Sequence, residues 1–152
     1  MSKSVKDLLN GMVINRVEGD FVCAGKGLTS LEGSPEYVNG AFSCHDNKLT
    51  NLIGSPERIE GSFYCDSNEL INLKGSPEYV GGNFDCHRNK LTSLEGCPEV
   101  VERDFDCSEN KLTSLDGFPK EVKGTVWCYN NSVEFTRAEI RAICKVGGNI
   151  HL

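Results

Sequence analysis

The chain has 152 residues, 38% of them hydrophobic, with a formal net charge of -6 and an isoelectric point near 5.1. This acidic balance argues against a nucleic-acid binder, which normally presents a basic stripe. No apolar run approaches the roughly 20 residues that a membrane-spanning helix needs, so we expect no membrane association.

The length suits a single domain, residues 1–152, in three parts. These are an N-terminal cap (1–18), six 21-residue repeats (19–134) and a helical C-terminal cap (135–152). Apolar residues within 4–13 follow the spacing of an amphipathic helix, which we expect to cover the first repeat. A membrane-surface or partner-binding helix is the alternative, with Lys3 and Lys6 as its positive charges. The start lacks the apolar segment of a secretory signal, which predicts a cytoplasmic protein.

A cysteine returns every 21 residues, and other residue types move with it. The cysteines are Cys23, Cys44, Cys65, Cys86, Cys107 and Cys128. Phenylalanine or valine stands two residues before each of them, at Phe21, Phe42, Phe63, Phe84, Phe105 and Val126. A fixed period without insertions is typical of one supersecondary unit stacked on itself, so we predict a solenoid.

Within one repeat, Phe84 and Cys86 alternate with polar residues, which predicts a short strand with one buried face. Asn89 stands where the chain must turn out of the strand, and its side chain is expected to join successive coils as a ladder. Its equivalents are Asn47, Asn68, Asn110 and Asn131. Leu91 and Leu94 then point inward, and repeated strands form a parallel sheet.

The back of each coil carries segments such as Gly-Ser-Pro-Glu at 54–57. Serine is a good N-cap, proline is tolerated at the first helical position, and glutamate follows at the positive end. The pattern therefore favours a tight turn into a single helical turn. Because the stretch is too short for a full α-helix, we expect a 3₁₀ turn or extended chain there.

The cysteine spacing favours reduced thiols over a disulfide framework. Equivalent cysteines should form a column about 4.8 Å apart, whereas a disulfide needs converging Cβ atoms about 3.8 Å apart. No CxxC or CxxH pair occurs, which disfavours a metal site in the column. We predict a buried ladder of free cysteines, consistent with a reducing cytoplasm.

The C-terminal cap begins with a capping box formed by Thr136 and Glu139. We expect a helix that runs to about Val146 and is stopped by two glycines at 147–148. Its buried stripe is Ile140, Ile143 and Cys144. The tail, 149–152, could add a last strand. With both ends capped, we expect a complete module.

The spacing Phe-x-Cys-x-x-Asn-x-Leu, clear at 42–49, resembles the second half of the leucine-rich-repeat signature. The resemblance covers residues 19–135 and implies a leucine-rich-repeat solenoid with a 3₁₀ or extended back face, capped by short helices. Phenylalanine and cysteine replace the usual strand leucines, and the first leucine of the signature has no match. Lys26 replaces the asparagine in the first repeat, and Val126 and Val133 replace the phenylalanine and the leucine in the sixth. We interpret these departures as features of capping repeats.

More narrowly, the sequence from Phe105 to Pro119 is similar to the short cysteine-containing leucine-rich repeats of tailed phages and some bacteria. This similarity implies a phage or bacterial cytosolic origin, and a host cytoplasm for a phage-encoded protein. It implies no particular partner, because such repeats serve many.

Outward residues of the strands should form one continuous surface about 25 Å across. One column is Val22, Ser43, Tyr64, Asp85, Asp106 and Trp127; the next is Ala24, His45, Asp66, His87, Ser108 and Tyr129. Because these residues vary while the inward ones repeat, partner choice is expected here. The candidate partner-binding residues are Tyr64, Asp66, Asp85, His87, Asp104, Asp106, Trp127 and Tyr129. Their acidic centre favours a basic protein partner.

This surface leads us to expect a non-enzymatic protein-protein interaction module that binds through its concave strand face. The alternative for the surface itself is an ordinary solvated face, with Trp127 packing on the C-terminal helix. A different function is the binding of a ligand or a metal by His45, Asp66 and His87, and a third is self-association through an end strand or the N-terminal helix. The oligomeric state stays open.

Enzymatic activity is not expected. The carboxylate pairs Asp85–Asp106 and Asp104–Asp106 could do acid-base work, but an open face without a pocket argues against it. No nucleophile elbow, P-loop, dinucleotide fingerprint or HExxH motif occurs, so we also expect no cofactor.

Overall fold

Each repeat contributes two short parallel strands, one on each side of its coil. The computed structural model describes residues 3–152. In chain order its strands are β1 (Arg16–Val17), β2 (Phe21–Val22), β3 (Tyr37–Val38), β4 (Phe42–Ser43), β5 (Arg58–Ile59), β6 (Phe63–Tyr64), β7 (Tyr79–Val80), β8 (Phe84–Asp85), β9 (Val100–Val101), β10 (Phe105–Asp106), β11 (Glu121–Val122), β12 (Val126–Trp127), β13 (Lys145–Val146) and β14 (Ile150–His151). The helices of this range are α1 (Val5–Leu8) and α2 (Arg137–Ile143). Neither of these helices has the length and apolarity to cross a bilayer.

The strands pair one coil to the next, which makes the chain a parallel β-solenoid and confirms the predicted fold class. The front sheet has the order β14-β12-β10-β8-β6-β4-β2. Back strands form two shorter sheets, β1-β3-β5-β7 and β9-β11-β13. Equivalent residues lie directly opposite each other, so Phe63 pairs with Phe84 and Phe84 with Phe105. The 21-residue period is therefore the register of the stack.

Columns of identical side chains fill the interior. The phenylalanine rings of successive coils contact each other with centroids 5.2 to 6.0 Å apart, and Phe118 extends the column from Phe105 at 5.5 Å. Leu91 and Leu94 are fully buried, as are Leu70 and Leu73 of the preceding coil, whereas Leu115 of the next coil is partly buried. One continuous apolar core results, although a single coil could not bury its own apolar face.

The cysteine column is buried, as predicted. All six of its members are free thiols with at most 3% exposure. Removal from water raises the pKa of Cys23 to about 12 and raises the pKa of Cys86 well above its usual value. Because the thiolate is the reactive form, these sulfurs are chemically protected in the folded chain.

Thiol labelling should reveal this protection. At neutral pH in native buffer we expect slow alkylation, and this includes Cys97, which is only partly buried but whose pKa is also raised by removal from water. All eight cysteines should react promptly once the chain is denatured. Mass spectrometry of time points counts the adducts. Rapid native labelling of several thiols would contradict the buried column.

The asparagine ladder forms as predicted and joins each coil to the preceding one. Asn89 accepts a hydrogen bond from the Leu70 backbone N–H at 3.0 Å. Its amide group donates to the carbonyl oxygens of Cys65 and Cys86, both at 3.1 Å. Equivalent bonds occur at Asn47, Asn68, Asn110 and Asn131. The ladder therefore satisfies buried backbone groups at the turn, where strand pairing ends.

The back face is extended, which decides between the two predicted alternatives. Tyr37–Val38 pairs with Arg58–Ile59 as parallel strands, and the Glu60 N–H donates to the Val38 carbonyl at 3.0 Å. The helical turn expected from the Gly-Ser-Pro-Glu segments is wrong. Bonds to the adjacent coil replace the bonds that a helical turn would make within one coil, because the front sheet already holds the coils at strand spacing.

The N-terminal helix is shorter than predicted. It spans Val5–Leu8 rather than 4–13, and it begins at a capping box of Ser4 and Asp7. Val5 is fully buried, so the helix covers the first coil as expected. Part of the predicted cap is β1, which pairs with β3.

The C-terminal helix starts where predicted and ends early. Thr136 and Glu139 form the capping box, and Ile140 and Cys144 are buried. Ile143 is 47% exposed, so its predicted place in the buried stripe is wrong. The chain leaves the helix after Ile143 because 145–146 pairs with β11 as β13, with the Lys145 N–H donating to the Lys120 carbonyl. The tail adds β14 to the front sheet, as predicted.

Candidate functional site

The outward side of the front sheet, here the strand face, presents the two predicted columns. Register places Tyr64 opposite Asp85, Asp85 opposite Asp106, and Asp106 opposite Trp127. The tail extends the first column, because His151 of β14 lies opposite Trp127. His151 is a residue of this face that the sequence analysis missed; the predicted last strand was the available signal.

Four predicted residues surround one recess on the strand face. Asp85, Asp104, Asp106 and Trp127 line a depression of about 210 Å³, with Asn83 and Phe84 completing it. We name it the acidic depression. It contradicts the sequence-based picture of a face without any pocket, although the recess is small and open.

Two of these carboxylates are held in place by neighbouring groups. Oδ1 of Asp106 accepts hydrogen bonds from the backbone N–H and the hydroxyl of Ser108, at 2.9 and 2.6 Å. Oδ1 of Asp104 accepts the Thr125 N–H at 2.8 Å, across to the next coil. These bonds fix the direction of both side chains before any ligand arrives, which lowers the entropic cost of binding.

The indole of Trp127 is fixed in a similar way. Its ring stacks on the imidazole of His151, with centroids 5.6 Å apart and an interplanar angle of 14°. One sequence alternative placed Trp127 against the C-terminal helix, but its stacking partner belongs to β14. A half-buried, oriented tryptophan is typical of residues that dominate binding energy at interfaces.

Comparisons of the chain with protein-family models, curated proteins and solved structures find no match. The chemistry of the site is accordingly inferred from its own residues. Three carboxylates beside an indole ring offer negative charge next to apolar surface. That combination complements a cation on an apolar stem, such as a lysine or arginine side chain.

A second group of polar side chains overlaps the acidic depression at Asp85. Within residues 3–152, one set of three potential metal ligands converges, Asp66, Asp85 and His87, with ligand atoms within 4.8 Å of one another. Nδ1 of His87 lies 2.7 Å from Oδ1 of Asp85, and the His87 backbone N–H also donates to that oxygen. We name this set the His87 cluster.

His45 lies outside this cluster, contrary to the metal-binding alternative. Its Nδ1 lies 3.0 Å from Oδ2 of the adjacent Asp46, on the exposed turn. The third member of the cluster, beside Asp66 and His87, is Asp85 and not His45. The alternation of a strand could have revealed this, since Asp85 and His87 are two residues apart and point to the same side.

Burial and neighbouring charges shift the pKa values of both Asp85 and His87. Removal from water raises the pKa of Asp85, although the hydrogen bonds from His87 act in the opposite direction. Burial disfavours the protonated ring of His87, but the hydrogen bond to Asp85 and the charge of Asp66 outweigh it and raise the pKa of His87. The cluster therefore attracts positive charge.

The two predicted tyrosines lie at the margins. Tyr64 is half-buried in the coil before Asp85. Tyr129 lines a separate cavity of about 420 Å³ near the C-terminus, together with Val133, Phe135 and Leu152. The structure thus concentrates the predicted site on the acidic depression and the His87 cluster and leaves Tyr129 at another surface.

Proposed function

We propose that this protein is a non-enzymatic interaction module that binds a protein partner through its strand face, at the acidic depression. The observation that carries the proposal is the contrast between the two sides of one strand. Inward positions repeat phenylalanine and cysteine, whereas the outward column changes from Ser43 to Trp127. Packing constrains the inward side alone, so the outward residues are free to specify a partner.

The partner proposed for this face carries a basic segment. Asp85, Asp104 and Asp106 meet at one recess, and the whole chain has a net charge of -6. Complementary charge raises the association rate and fixes orientation, while the indole of Trp127 supplies apolar contact area. Binding through this surface should therefore weaken as ionic strength rises.

We further propose that the chain is a short cysteine-containing leucine-rich-repeat protein of phage or bacterial origin that acts in the cytoplasm, on a host factor if phage-encoded. The support is the strand-and-turn spacing Phe-x-Cys-x-x-Asn-x-Leu together with the reduced thiols. The genes that flank its own provide the test: phage structural genes would support this origin, and a eukaryotic locus would contradict it.

Partner capture tests the strand face directly. Beads carrying the wild-type chain should enrich a protein from extract of the source organism, and Asp106→Lys combined with Trp127→Ala should abolish that enrichment. The double variant adds a positive charge and removes the indole at the recess. Quantitative mass spectrometry measures the ratio, and thermal melts verify that both proteins remain folded.

A matched pair of changes elsewhere controls for altered charge and lost apolar area. Ile53 and Glu57 are exposed and lie outside the strand face, so Ile53→Ala with Glu57→Lys should leave capture unchanged. Equal capture by wild type and the Asp106/Trp127 variant would refute the proposed face. Since Trp127 is the only tryptophan, a change in intrinsic fluorescence with the purified partner provides a second readout.

A further inference from the structure

The His87 cluster is assembled by two neighbouring coils. Asp85 and His87 come from one coil, where strand alternation places both on the strand face. Asp66 comes from the preceding coil, at the position equivalent to His87 in the 21-residue register. Side chains far apart in sequence thereby reach a common point, with one ligand atom from each within 4.8 Å of the others.

These ligand atoms form a set that fits a specific class of ion. An imidazole nitrogen with two carboxylate oxygens suits Zn²⁺, which binds such groups tetrahedrally and often leaves one position open. Bonds of about 2.1 Å in that geometry require ligand atoms about 3.4 Å apart. The ligand atoms of the cluster lie within 4.8 Å of one another, and Nδ1 of His87 and Oδ1 of Asp85, now 2.7 Å apart, would move apart by less than about 1 Å to reach that separation.

The hydrogen bond within the cluster shows that its members are already aligned. Nδ1 of His87 and Oδ1 of Asp85 lie 2.7 Å apart, joined by one hydrogen-bonding proton. The side chains of His87 and Asp85 are only 24% and 23% exposed. A metal ion bound to the same two atoms would replace that proton. We propose that Asp66, Asp85 and His87 form a Zn²⁺-binding site on the strand face, independent of whether a protein partner binds there.

The next coil shows that this arrangement does not follow from the repeat alone. Asp106 occupies the position of Asp85, and its Oδ1 accepts a bond from the backbone N–H two residues later, as in Asp85. That later residue is Ser108 rather than histidine. A serine hydroxyl can make the same hydrogen bond but is a poor zinc ligand. Of these two coils, the one with His87 therefore supplies an imidazole beside the carboxylate.

Calorimetric titration of tag-free protein with ZnCl₂ in a non-chelating buffer tests the site. Wild type should bind one ion, and His87→Gln or Asp66→Asn should each weaken binding by roughly tenfold or more, since even outer groups around a metal contribute that much. His45→Gln is the matched control, because His45 belongs to the same column but bonds to Asp46. It should leave the affinity unchanged. Excess Mg²⁺ should not compete, because it prefers oxygen ligands.

Spectroscopy ties the binding to the named ring. In ¹H–¹³C NMR spectra, zinc should shift the imidazole signals of His87 and leave those of His45 in place. Three results would overturn the site: no binding by wild type, wild-type affinity in His87→Gln, or an equal loss in His45→Gln. Zinc bound by cysteine thiols instead of this cluster would give the second result, wild-type affinity in His87→Gln. Because no partner is present in either measurement, failure here would leave the proposed protein-binding function intact.

Discussion

Replacing Asn89 by alanine is expected to lower the free energy of unfolding by about 2–6 kcal/mol, because one buried donor left unpaired costs about 1–3 kcal/mol and each of two further lost hydrogen bonds costs about 0.5–1.5 kcal/mol. The Asn89 side chain is buried and bonds to two coils at once. Its removal leaves the Leu70 N–H without a partner and takes one bond from each of the Cys65 and Cys86 carbonyl oxygens, which keep a second bond from the asparagine of a neighbouring coil. Urea unfolding followed by circular dichroism measures the loss.

Two further variants show whether the ladder, rather than asparagine as such, is responsible. Asn72 lies on a nearby turn, where its side chain accepts one exposed bond from the Lys74 N–H, so Asn72→Ala should cost about 1 kcal/mol or less. Asn89→Asp keeps the acceptor but sets a carboxylate against the Cys65 and Cys86 carbonyls, so its loss should match that of Asn89→Ala. Similar losses for Asn72→Ala and Asn89→Ala would show that the ladder bonds contribute no more to stability than an exposed turn bond does.

The same ladder explains why much of the fold could be predicted from the sequence. Each asparagine side chain bonds to backbone groups of the preceding coil, as Asn47 does when it accepts hydrogen bonds from the Lys26 and Leu28 N–H groups. The first coil has no preceding coil to serve, and Lys26 stands where asparagine would be. Period, inward residue types and the irregular first repeat thus all follow from stacking, and each is visible in the sequence.

The wrong predictions of helical structure have a common cause. Hydrogen bonds between coils outweigh the conformational preferences of the short segments themselves. Proline and glutamate at 56–57 favour a helical turn, yet the Glu57 N–H donates to the Glu36 carbonyl of the preceding coil. Likewise 145–146 continues an apolar helical pattern but pairs with β11. A pattern along one segment contains no information about the coil that will lie against it.

The candidate site could be predicted in composition but not in geometry. The 21-residue period placed Asp85, Asp106 and Trp127 in one column, and the register confirms it. Nothing in the period indicated that His45 would bond to Asp46, because that depends on how the exposed turn at Asp46 folds, with φ 53°. Side-chain partners on an exposed face are set by rotamers and turn conformation, which the repeat does not constrain.

Gly75→Ala is expected to lower the free energy of unfolding by about 2–5 kcal/mol, from left-handed strain of about 1–2 kcal/mol and overpacking of about 1–3 kcal/mol. Gly75 has φ +87°, and an added Cβ would lie 2.5 Å from the Leu52 carbonyl carbon and 2.6 Å from the Ile53 Cα of the preceding coil. Both are backbone atoms. Paired strands on the front and back hold that coil in place, so it cannot move away without breaking hydrogen bonds.

Gly27→Ala separates the two contributions to this loss. Gly27 also has a left-handed backbone, φ +70°, but an added Cβ would meet nothing within 4 Å. It should therefore show the conformational cost alone, about 1–2 kcal/mol. The difference between the two variants in urea unfolding measures how tightly one coil lies on the next. Equal losses would mean that the coils can separate at Gly75, and the close stacking that forces variation onto the strand face would then be absent.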